Sequence, residues 1–77
     1  MEERIKQSTG KVLLRLRTDK GISQQKFANT CDIDRSYVSR IERGLQSPSL
    51  INLHKICNAL EIKVSAFMVL VESELKE

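Results

Sequence analysis

The sequence predicts an all-α fold of five short helices, and three observations carry that expectation. Its 77 residues hold three glycines and one proline, and no β-branched or aromatic run is bounded by turns as a strand would be. Apolar side chains recur at helical rather than alternating spacing. Residues suited to starting a helix fall at short intervals, so the helices between them are short. A chain of this length forms one domain, residues 1–77, and buries only about 60 % of its unfolded surface. So thin a margin calls for a disulfide, a metal or a partner subunit.

The first helix is expected from about Glu3 to Asp19. Ile5, Val12, Leu13 and Leu16 form its apolar stripe, while Lys6, Lys11 and Arg15 look outward. Gly21 ends it, with Lys20 in the last turn where a cation suits the helix dipole. Ser23 caps a second helix whose inward face is Phe27, Ala28 and Cys31. Asp34 starts a third, which runs to about Arg43 and closes at Gly44. Ser47-Pro48-Ser49 opens the fourth with Ser49 as cap, and Leu50, Leu53, Ile56, Cys57 and Leu60 form a core face. Ser65 is expected to cap a fifth, Ala66 to about Leu75.

Composition narrows the function classes. The net charge is +3, a mild excess that matters only if the cations cluster on one face. Cys31 and Cys57 form no C-x-x-C unit, and the single His54 cannot complete a zinc site with them. No cofactor or metal is implied, and both thiols are expected as small apolar filler in a reducing, cytoplasmic setting. No apolar run approaches membrane-spanning length and no cleavable signal pattern is present. An enzyme is not expected, since no Ser/His/Asp or Cys/His set and no phosphate-cradling glycine loop occurs.

Ser23 to Gly44 holds two short helices around the corner Cys31-Asp32-Ile33, with Ala28 small where they approach. That is the layout of a helix-turn-helix, domain boundaries about 23–44. Counting about 100° per residue, Arg35, Ser36, Ser39, Arg40 and Arg43 share one exposed face of the third helix. Val38 and Ile41 lie opposite. Arg pairs bidentately with guanine in the major groove, and Ser bonds several base edges. Arg35, Ser36 and Ser39 stand in the N-terminal half, which usually reaches the bases. Gln24 and Gln25 begin the second helix, where anions are favoured. Tyr37 flanks the polar face, and Ser47, Ser49 and Asn52 surround the start of the fourth helix, all able to bind phosphate.

The string Gln24-x-x-x-Ala28, then Ile33-x-x-x-x-Val38-Ser39-x-Ile41-Glu42-Arg43-Gly44 and Ser47-Pro48-Ser49-Leu50, resembles the phage-repressor (Cro, XRE-type) helix-turn-helix family. The likeness runs from Ile5 to Leu70. Within the family, Asp34-Arg35-Ser36-Tyr37 and the short last helix look most like controller proteins of restriction–modification systems. The resemblance implies a compact five-helix lambda-repressor-like domain. It implies base contacts from Arg35, Ser36 and Ser39 with Arg40 or Arg43 nearby, and phosphate contacts from Gln24, Gln25 and Tyr37. It also implies an ion pair between Arg17 and Glu42, a carboxylate for which the residues alone suggest no partner. One departure is Asp32, where the family usually has glycine; Asp tolerates a left-handed backbone.

A homodimer is expected, because one such module reads few base pairs and a two-fold partner sets recognition helices about 34 Å apart. The surface for it is sought in residues 62–75: Ile62, Val64, Phe67, Met68 and Val71, with Leu70 pointing elsewhere. The partners so implied are a (pseudo)palindromic double-stranded DNA operator and a second copy. RNA polymerase is a further candidate through Glu42 and the acidic Glu72-Glu74-Glu77 end. The rival reading is an antitoxin or protein-bridging module. Against it, the Arg35/Arg40/Arg43 face offers no aromatic or aliphatic anchor.

Overall fold

Five helices follow one another in the computed structural model, which describes residues 1–76: α1 Glu2–Asp19, α2 Gln24–Cys31, α3 Arg35–Glu42, α4 Leu50–Ala59 and α5 Val64–Leu75. The long α1 lies against both α3 and α5, while α2 packs on α3 and α4, and α4 meets α5. Their shared core is Val12, Leu13, Phe27, Ala28, Cys31, Val38, Ile41, Ile56, Cys57, Leu60, Phe67 and Val71. Both cysteines are buried there as free thiols, and burial pushes Cys31 up to about 11. A thiol so placed stays neutral and packs as an apolar group.

Two helix starts are held by serine. The Lys26 N–H donates to Ser23 Oγ at 3.1 Å, and the Asn52 N–H donates to Ser49 Oγ at 3.1 Å. Asp34 occupies the N-cap of α3, yet its side chain accepts no capping bond. The corner between α2 and α3 turns on Asp32 in the left-handed region, φ 59 and ψ 47. Its neighbour Ile33 donates back to the Ala28 carbonyl at 3.0 Å, which closes the end of α2.

The position of α3 depends on a close approach to α1. Gly10 faces the carbonyl oxygens of Ile41 and Glu42, and a side chain there would collide with them. Ser8, Thr9 and Gly10 are buried along this seam. Gly44, with φ 74, ends α3 against Gln7 of α1.

Several sequence expectations are corrected. Ile5 is 37 % exposed and Leu50 is 70 % exposed, so neither belongs to the core. A helical wheel groups apolar residues but does not say where the neighbouring helix ends, and α4 offers its first turn to solvent. Ser65 lies inside α5, which begins one residue earlier with Lys63 at its N-cap. Phe67 and Val71 are 1 % and 0 % exposed, fully spent on the core. They have no surface left for a partner. Ile62, Val64 and Met68 are half-buried against the same core. Of the acidic residues named for a polymerase contact, Glu42 is paired with Arg17 and Glu74 with Arg15, Glu72 is exposed, and Glu77 lies outside the described residues.

Candidate nucleic-acid interface

The apolar side of α3, Val38 and Ile41, is sunk in the core, which obliges the opposite side to face solvent. Arg35, Ser36 and Arg43 are exposed there, and Ser39 and Arg40 are half-buried. Arg35 and Ser36 are the first two residues of the helix, at its projecting end.

Arg40 takes a different course from Arg35. Its Nε donates to Gln46 Oε1 at 2.8 Å, and its guanidinium lies 5.9 Å from the centroid of the Tyr37 ring. Tyr37 in turn ties α3 to α4, its hydroxyl accepting from the Ser49 N–H at 3.2 Å and from Asn52 Nδ2 at 3.0 Å. With both lone pairs engaged, that hydroxyl has only its proton left to offer, and an anionic oxygen is the partner it suits. Tyr37, Arg40 and Asn52 line a groove of about 360 Å³ with Asp32, Ile33, Asp34 and Lys55. Sequence reasoning missed Lys55, which lines the groove, and Gln46, which holds Arg40. Lys55 follows Asn52 by three positions on α4, a spacing that places both on one face. Gln46 sits in a loop and left no such signal.

The remaining phosphate candidates are distributed differently. Gln25 is exposed and its Nε2 donates to Asn29 Oδ1 at 3.0 Å. Ser47 is exposed but lines a separate groove of about 310 Å³ with Glu2, Ile5 and Lys6. Gln24 turns inward, its Nε2 donating to Glu42 Oε1 at 2.9 Å, while Arg35 Nη1 approaches Gln24 Oε1 at 3.5 Å.

Beneath this face lies the ion pair of Arg17 and Glu42. Arg17 Nε donates to Glu42 Oε2 at 2.6 Å and Nη2 donates to Oε1 at 2.9 Å, a bidentate fork. Nη1 donates to the Ile22 carbonyl at 2.6 Å. The hydrogen bond to Glu42 raises the Arg17 pKa against the opposing effect of burial. The cation is therefore permanent.

Among the described residues no group of three or more His, Cys, Asp and Glu could hold a metal, and no helix is long and apolar enough to cross a membrane. The helix-turn-helix family profile matches residues 13–67. Over 71 residues the chain is 42 % identical to the control protein C.MunI of a Mycoplasma species, covering 91 % of this chain and 96 % of that protein. The restriction-modification controller protein C.AhdI from Aeromonas hydrophila superposes with a TM-score of 0.78 at 40 % identity, covering 80 % of this chain and 94 % of that one. The C.Esp1396I controller, solved as a tetramer in complex with its natural 35 base-pair operator, superposes with a TM-score of 0.85 at 26 % identity; 95 % and 96 % of the two chains are covered.

Proposed function

This chain belongs to the helix-turn-helix family, and from that premise we infer that it is the DNA-binding controller of a restriction–modification system. It is a regulator and not an enzyme. The observation that carries the reading is the face of α3, where Arg35 and Ser36 project from a helix whose other side is locked in the core. Arg35, Ser36 and Ser39, with Arg43 beside them, read base edges in the major groove. Tyr37, Asn52, Gln25 and Ser47 grip phosphates, with Lys55 and the Arg40 guanidinium supplying charge along the flank. Control proteins stand among the similar sequences, and a similar controller has been solved on its operator. The same fold serving as a protein-bridging module finds less support, since this face is cationic and lacks apolar anchors.

The operator is read by two copies related by a two-fold axis. Leu45, Leu50 and Ile51 are 58 %, 70 % and 72 % exposed around the connection from α3 to α4. Three large apolar side chains in a seven-residue stretch, beside the recognition helix, suit a second copy of the chain. The molecule measures 31 × 23 × 22 Å, so two abutting copies bring equivalent helices within range of the about 34 Å repeat of DNA.

The test is binding to DNA upstream of the chain's own gene, wild type beside Arg35→Ala, at two salt concentrations. Losing a guanine contact costs about 1–3 kcal/mol on the operator and leaves random DNA nearly unchanged. Equal, weak and salt-sensitive binding of both proteins to any sequence would remove Arg35 as a reader of that site.

A further inference from the structure

A continuous line of hydrogen bonds runs from the core to the tip of the exposed face. At its buried end Arg17 and Glu42 have side chains only 10 % and 3 % exposed. Arg17 is anchored by its fork to Glu42 and by the Ile22 carbonyl, so neither partner of the pair can swing. Glu42 Oε1 has a second donor, Gln24 Nε2, at 2.9 Å. An ionised carboxylate only accepts. Gln24 must therefore offer its amide nitrogen to Glu42 and turn its carbonyl oxygen the other way, where Arg35 Nη1 stands at 3.5 Å. The flipped amide would set two acceptors face to face at Glu42 and two donors face to face at Arg35.

We propose that Glu42 is a positioning residue for base recognition: fixed by Arg17, it holds the Gln24 amide in the one orientation that gives Arg35 an acceptor. The contact at 3.5 Å is long, and it directs Arg35 more than it binds it. Arg35 uses one N–H there and keeps the others for a bidentate guanine contact. A long side chain already aimed loses less rotamer freedom on binding than a free one. The ion pair thus has a second role beyond joining α1 to α3.

The inference rests on Arg35 as a base reader, and the experiment separates the two. The full chain is titrated onto its operator and onto a set of single-base-pair variants of it. Arg35→Ala identifies the pair that Arg35 reads. Gln24→Ala leaves the ion pair in place and lowers discrimination at that same pair roughly three- to tenfold, the scale of one ordinary net hydrogen bond. Other pairs keep their ranking, and adding Gln24→Ala to Arg35→Ala removes nothing more. Glu42→Gln, which can both donate and accept, shows the same selective loss at temperatures where its helical signal is intact. A uniform fall across all variants and random DNA in Gln24→Ala overturns the positioning role and makes Gln24 a phosphate contact. Should Arg35→Ala shift no pair, the reading of Arg35 falls and the positioning role with it.

Discussion

Gly10 sets the separation between the helix that supports the site and the helix that forms it. A Cβ at this position would stand 2.9 Å from the Glu42 carbonyl oxygen and nearer still to that of Ile41. Both are backbone atoms and cannot rotate away. On an exposed helix, Gly→Ala gains up to about 1 kcal/mol. Here overpacking costs about 1–3 kcal/mol and reverses the sign. Gly10→Ala is expected to lower stability by about 1–2 kcal/mol, a fall of roughly 4–8 °C in melting temperature for each kcal/mol at this size. A rise on thermal denaturation would show that α3 can move outward freely. The displacement would also reach Glu42, so operator affinity should fall with stability. In the sequence this contact left one trace, a glycine inside a helical pattern. Such a glycine announces a close neighbour without naming it. The Arg17–Glu42 pair was open to inference only through resemblance, because the two residues are far apart in the chain and nothing in their spacing joins them.

Four of the helices end in one way, with a left-handed residue followed by an apolar one. Gly21, Asp32, Gly44 and Glu61 have φ of 69, 59, 74 and 57. After each, the N–H of Ile22, Ile33, Leu45 or Ile62 reaches back to the carbonyl of Arg17, Ala28, Arg40 or Cys57 at 2.9–3.2 Å. The two glycines and the tolerant Asp32 made three of these ends legible in the sequence. Glu61 did not, having neither a glycine's freedom nor a short side chain that bonds its own backbone. Missing it displaced the start of α5 as well: the chain reverses at Glu61 and reaches helical geometry at Val64, before the serine that looked like a cap. Glu61→Gly is therefore expected to raise stability by about 0.5–1 kcal/mol, the relief of left-handed strain less the added freedom of the unfolded chain. The substitution gives up an exposed contact of Lys20 with Glu61 at 3.6 Å, a kind of pair that contributes little. Urea denaturation would show a higher midpoint at unchanged slope. A lower midpoint would mean that the contact with Lys20 outweighs the strain.

At the scale of the whole molecule, the sequence reveals which residues are apolar but not which of them meet another helix and which meet another molecule. Periodicity assigned Leu50 to the core, and the dimer expectation placed Phe67 and Val71 at a partner surface; the packing reverses both. The reason is geometric. α5 is clasped by the long α1, with Arg4 donating to the Leu75 carbonyl and Arg15 pairing with Glu74 at 3.4 Å, so its large side chains are consumed internally. α4 packs through Ile56 and Cys57, and its first turn, Leu50 and Ile51, is left outside. If that turn holds the second copy, a charge there should separate the copies without unfolding either. Ile51→Asp, at a position 72 % exposed, should leave the melting temperature of the monomer nearly unchanged, within about 0.5 kcal/mol. In sedimentation at high micromolar concentration wild type should run as a dimer and the variant as a single 8.8 kDa chain. Operator binding should become weaker and lose its dependence on the second half-site, since each module would then bind alone. A variant that stays dimeric would move the interface to the half-buried Ile62, Val64 and Met68. Phe67→Asp makes the contrasting control, because a charge at a position 1 % exposed should unfold the chain, whereas the same charge at Ile51 should only divide it.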